Sequence, residues 1–167
     1  IDASQLAHLQ TWQGRSTIMR RLDGFRDAYA DRGLSIDLGE VLCAAGYEPD
    51  HARQALRQFV QERGGIDGVT AIFCSADNLA IGVLSELQQM GVAVPGDIAV
   101  VGFDGVAPGD FTTPSLTSVR VPLEALAVSA IQTLERRLLS LRSDHPVERI
   151  ELGCVLVERE SGAAPPA

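Results

Sequence analysis

Basic residues are scarce in this chain, and the scarcity excludes one class of partner. Only 14 Lys and Arg stand against 22 Asp and Glu, a formal net charge of −8. Phosphate recognition needs Lys and Arg gathered on one surface, so this piece is not expected to hold nucleic acid by itself. Long apolar runs are also missing. No stretch approaches the roughly 18 apolar residues of a membrane span, and residues 1–10 lack the basic and apolar regions of an export signal, so a soluble, cytoplasmic protein is expected. Cysteine is limited to Cys43, Cys74 and Cys154. They are odd in number, far apart and set in apolar runs, which reads as buried free thiols rather than a disulfide or metal site. There is no CxxC, no HExxH and no clustered His: His8, His51 and His145 share no helical face. No metal or cofactor is expected. Nor is there a GxSxG elbow, a GxGxxG after the first strand or a P-loop lysine motif, so the chain is read as no enzyme.

What is present is a core-forming pattern. Of 167 residues 46% are apolar, enough for one compact α/β domain. Short apolar runs alternate with longer stretches of helical period, the pattern of a parallel sheet covered by helices. Residues 5–10 form a weak first strand. Ile18, Leu22, Phe25 and Tyr29 then put one stripe on a helix that stops at Gly33. Residues 40–44 read as a second strand, and Pro49 suits the first turn of a helix. That helix carries Ala52, Leu56, Phe59 and Val60 inward and ends at Gly64 and Gly65. Residues 69–74 read as a third strand. Ala80, Val83, Leu84 and Leu87 face inward on the next helix, and 98–103 is a strand covered on both faces. Residues 102–117, rich in Gly, Pro, Asp and Thr, read as a long ordered loop. Pro122 opens a last helix with Leu123, Leu126, Ala130, Ile131, Leu134 and Leu138 on one side. A closing strand over 149–158 and a frayed tail over 161–167 complete the reading. The fold class is α/β, a parallel Rossmann-like sheet of about five strands with helices on both faces.

The stretch 71–121 reads AIFCSADNLAIGVLSELQQMGVAVPGDIAVVGFDGVAPGDFTTPSLTSVRV. It resembles the signature region of the lactose/galactose-repressor (LacI/GalR) family of transcription regulators: the AIFC strand with Asp77, the helix running into MGVAVPGDIAVVGFD, and TTPSLTSVRVP. RRLDGF at 20–25 resembles the family's first helix and LGCVLVERES at 152–161 its closing strand, so the resemblance covers nearly the whole chain. It implies the C-terminal part of an effector-binding core of type I periplasmic-binding-protein-like fold. On that reading 1–105 is the C-terminal lobe, 106–148 a crossing segment whose helix packs on an absent first lobe or a partner chain, 149–162 the closing strand, and 163–167 a disordered tail. The exposed stripe of that helix is expected to be buried against another chain. The DNA-binding head and the opening half of the first lobe are expected to lie outside this sequence.

Ligands of such sheets sit outside the carboxyl ends of the strands. Asp104 closes the VGFD strand, where a carboxylate accepts paired hydrogen bonds from sugar hydroxyls or a ring N–H; a loop-capping Asp is the plainer alternative. The resemblance implies that Asp104 is the effector aspartate. It likewise matches Arg21 to a ligand-contacting arginine, with Arg20 as the solvated neighbour, and Arg15 and Thr17 to corepressor-binding positions of purine-responsive members. Tyr47 matches a ring stacked on the ligand, Trp12 follows the first strand, and Asp77 is either a ligand contact or a helix N-cap. Ala76 stands where many sugar-responsive members have Asn. The implied function is the effector-binding core of a dimeric regulator that couples a small molecule, a sugar in preference to a purine, to operator affinity. Its DNA contacts would be made only through the absent head, and Leu79, Phe111, Pro114 and Leu116 would supply the dimer contact. The alternative is a periplasmic sugar-binding protein of a transport system.

Overall fold

The computed structural model describes residues 17–36, 38–139 and 149–163. The predicted strand at 5–10, Trp12 and Arg15 lie outside the described residues. Helix α1 (Thr17–Ala30) is followed by a 3₁₀ turn (Leu38–Glu40), α2 (Pro49–Arg63), strand β1 (Ala71–Phe73), α3 (Asp77–Gln89) and β2 (Ala99–Asp104). A second 3₁₀ turn (Ala107–Phe111) leads to β3 (Thr117–Arg120), α4 (Leu123–Leu139), β4 (Val155–Val157) and a last 3₁₀ turn (Glu160–Gly162). The sheet order is β1-β2-β3-β4. The first three strands run parallel and β4 pairs antiparallel to β3. A parallel sheet with one antiparallel edge strand is an ordinary α/β arrangement.

The best-determined elements are those with apolar periodicity on a buried face. Pro49 occupies the first turn of α2, and Gly64 ends that helix in the left-handed conformation at φ 77°. Ala52 and Leu56 are buried, with Phe59 and Val60 packed against the same core. Ala80, Val83, Leu84 and Leu87 of α3 join them, together with Ile98 and Val100. α3 is thus enclosed between α2 and the sheet.

One buried charge clamps the two helices. Glu86 is 3% exposed and accepts from Arg57 Nε at 2.5 Å and Arg53 Nε at 3.2 Å. The hydrogen bond from Arg57 does most to hold its carboxyl below the ordinary value of 4.5, Arg53 adds to it, and burial pushes the other way. A depressed folded value means that the clamp's stabilisation is present above the ordinary value and lost as pH falls through the depressed one. The melting temperature should therefore decline with acid below 4.5, and Glu86→Gln, which has no charge to lose, should decline less steeply. Parallel acid limbs for the two proteins, followed by circular dichroism, would place the sensitivity elsewhere.

Several expectations are corrected. Residues 40–44 are not a strand: Glu40 closes a 3₁₀ turn and 41–44 are irregular, with Leu42 and Cys43 exposed. A strand persists only where a neighbour takes its backbone hydrogen bonds, and the described residues offer this segment none. Conversely, β3 lies where a loop was expected to pass into a helix, and the closing strand narrows from 149–158 to Val155–Val157. Residues 161–163 are no frayed tail. Ser161 is fully buried, donates to the Val100 carbonyl at 2.7 Å and accepts from Thr117 N–H at 2.9 Å. Of the cysteines only Cys74 is buried, its thiol pushed up to about 12 by burial and then by the charge of Asp77; Cys43 and Cys154 are exposed. In α1, Tyr29 of the expected stripe is exposed and Met19 is the buried residue. The stripe of α4 is not among these corrections: no residue of α4 is buried, and Leu123, Leu126, Ile131, Leu134 and Leu138 are all exposed.

Candidate functional site

Alternation along β2 sends Val100 and Gly102 to the α3 side of the sheet and Phe103 to the other. On that second face Phe73, Phe103 and Val119 form the floor of an open groove of about 400 Å³, walled by Arg20, Arg21, Gly24 and Phe25 of α1. Phe25 stacks on Phe73 with ring centroids 5.2 Å apart and planes 10° from parallel. The Arg21 guanidinium lies 3.8 Å above the Phe103 ring. One residue of helical phase separates the two arginines: Arg20 is exposed, whereas Arg21 donates to the Ser75 carbonyl and, at 3.1 Å, to Asp104 Oδ1.

Arg21 and Asp104 therefore meet at the carboxyl end of the sheet, with side chains 19% and 38% exposed. Burial pushes the Asp104 carboxyl above its ordinary value; Arg21 pulls it back, and the charge of Asp77 pushes it further up. The backbone of Asp104 is strained, with φ at 118°. Such a conformation costs of order 1–3 kcal/mol in a residue with a side chain and persists only where its surroundings impose it. The next residue must be glycine. Gly105 has φ 74°, and a Cβ there would lie 2.8 Å from Arg120 Cα.

The other expected site residues are placed as follows. Thr17 begins α1 and is exposed. Tyr47 is exposed in the turn before α2 and is not among the residues lining the groove. Asp77 is 1% exposed and lies at the first helical position of α3, so the N-cap alternative is corrected: Ala76 holds that place, without a side-chain cap. Its Oδ1 accepts from Ser118 Oγ at 2.6 Å and its Oδ2 from Val106 N–H at 2.7 Å. The aromatic floor was not singled out in the sequence, although Phe103 directly precedes Asp104 and so had to lie beside it. Of the expected dimer contacts, Leu116 is corrected, being wholly buried in the core, whereas Phe111 is 86% exposed.

A model of the periplasmic binding protein-like domain matches residues 5–162. The chain belongs to that family. One relative, the HTH-type transcriptional repressor PurR of Pectobacterium atrosepticum, is 34% identical over 154 residues, which are 92% of this chain and 43% of that protein. Among solved structures, a LacI-family transcriptional regulator from Sanguibacter keddieii superposes with a TM-score of 0.76 at 34% identity, covering 84% of this chain and 51% of that one. The transcriptional regulator CelR in complex with cellobiose superposes with a TM-score of 0.75 at 30% identity, covering 85% and 42%. The resemblance to the C-terminal effector-binding region of LacI/GalR-type regulators is thereby established, and with it the periplasmic-binding-protein-like α/β fold. The chain spans less than half the length of the curated relatives it matches. Among the described residues no helix is long and apolar enough to cross a membrane.

Proposed function

We propose that this chain is the effector-binding part of a LacI/GalR-type transcription regulator, cytoplasmic and not an enzyme. It would bind a small polar ring, a sugar in preference to a purine, and couple that binding to operator affinity. The observation that carries the reading is the Arg21–Asp104 pair, set at the carboxyl end of a parallel sheet beside a floor of phenylalanines. A charged acceptor and a fixed donor select hydroxyls or ring N–H groups, while aromatic faces accept the flat side of a pyranose or a base. CelR, whose structure holds cellobiose, supports the sugar, and PurR stands for the second ligand class. Thr17 at the start of α1, with Trp12 and Arg15 before it in sequence and Tyr47 before α2, would complete the proposed site. The exposed Phe111 and the bare stripe of α4 are where a second chain or lobe would pack, in a homodimer that meets DNA through another part of the protein.

A thermal-shift and calorimetric screen of sugars, polyols and purines tests this. A binding compound should lose at least about tenfold in affinity against Asp104→Ala, since a charge-assisted hydrogen bond contributes roughly 1.5–3 kcal/mol, while the ligand-free melting temperature changes little. Equal affinity for both proteins would remove Asp104 from the site. Light scattering on the same samples that shows monomers at every concentration would count against the pairing.

A further inference from the structure

The strained turn at Asp104 has a visible cause beneath it. Gly105 N–H donates to Ser118 Oγ at 3.1 Å, Ser118 donates in turn to Asp77 Oδ1 at 2.6 Å, and Val106 N–H donates to Asp77 Oδ2 at 2.7 Å. Asp77 and Ser118 are each 1% exposed, so neither side chain has surface to offer a ligand. Both carboxylate oxygens of Asp77 are engaged, and the two backbone N–H groups that follow Asp104 are tied to this buried pair. A buried carboxylate is stable only when its oxygens are satisfied, and satisfying them here fixes the path of residues 104–106. From above, the Asp104 carbonyl accepts Val121 N–H at 3.2 Å. The turn is held from both sides while its one strained residue carries the exposed carboxylate.

We propose that Asp77 and Ser118 are the positioning pair of Asp104: they hold the 104–106 turn in the shape that aims the Asp104 carboxylate at Arg21 and the groove, without touching a ligand. This rests on Asp104 being an effector residue, but its test needs no ligand, so the two can fail separately. In the intact chain the Asp104 carboxyl carbon is followed by NMR through a pH titration in wild type, Ser118→Ala and Asp77→Asn. Ser118→Ala frees Gly105 N–H and loosens the turn, so that Asp104 loses both the partial burial that raises its carboxyl and the Arg21 contact that lowers it. Asp77→Asn also removes a neighbouring negative charge. The Asp104 midpoint should shift from its wild-type position in both variants, and Gly105 amide exchange in Ser118→Ala should quicken by about tenfold. A merely structural pair would lower the melting temperature and leave the Asp104 midpoint in place; an unchanged midpoint in a folded variant overturns the proposal. Should a variant not fold, the wild-type amides decide. Protection of Gly105 and Val106 comparable to that of β2 supports the pair, and exchange at the rate of an open loop overturns it.

Discussion

Gly102→Val is expected to lower the melting temperature of the chain by roughly 10 °C, the effect of losing about 3–5 kcal/mol in a domain of this size. A Cβ at Gly102 would overlap Asp77 Oδ1 and crowd Leu116 and Ala80 at 3.2 and 3.3 Å. Nothing in that shell gives way cheaply. The carboxylate is pinned by Ser118 and Val106, and moving it strands a buried charge without its donors. The larger side chain thus breaks the support of the Asp104 turn as well as overpacking the core. Thermal melts by circular dichroism check it, and a shift under about 2 °C would mean that α3 can slide away from β2 without loss.

Leu87→Ala should cost a similar amount for the opposite reason. Leu87 is fully buried in the cluster with Leu56, Val83, Ile98 and Val100, between α2 and the sheet. Truncation leaves a cavity that helices held on both sides cannot close, and such changes cost about 3–5 kcal/mol. Urea unfolding should show the midpoint falling with its slope unchanged. An unchanged midpoint would show that α2 collapses into the space, so that this core is less tightly held than its burial implies.

These two positions also mark the limits of what was legible beforehand. Leu87 belongs to an apolar stripe of period 3.6, and every residue of that stripe is buried. The bounds of α2 were equally readable, because Pro49 and Gly64 act through their own backbones and need no distant partner. Strand β3 was not readable. Its first two residues, Thr117 and Ser118, are buried yet polar, which in sequence looks like a loop. They are tolerated inside because Ser161 and Arg159 serve Thr117, and Asp77 serves Ser118. Ser161 looks like tail in sequence on the same grounds, since its partners Val100 and Thr117 lie 61 and 44 residues away. The site divides along the same line. Arg21 and Asp104 were each singled out, but their pairing spans 83 residues, and the Phe25–Phe73 stack and Arg21–Phe103 contact depend on which face of the sheet α1 covers.

The α/β class, the inward faces of α2 and α3, the β2 strand ending in Asp104 and the family resemblance follow from the order of residues, because periodicity, caps and motifs are local properties of the chain. That Asp77 and Ser118 lie beneath Asp104 and that Ser161 is core is visible in the tertiary structure alone. A polar residue is buried or solvated according to whether a hydrogen-bond partner meets it in the fold, and where those partners are far apart in sequence, local pattern does not reveal the meeting.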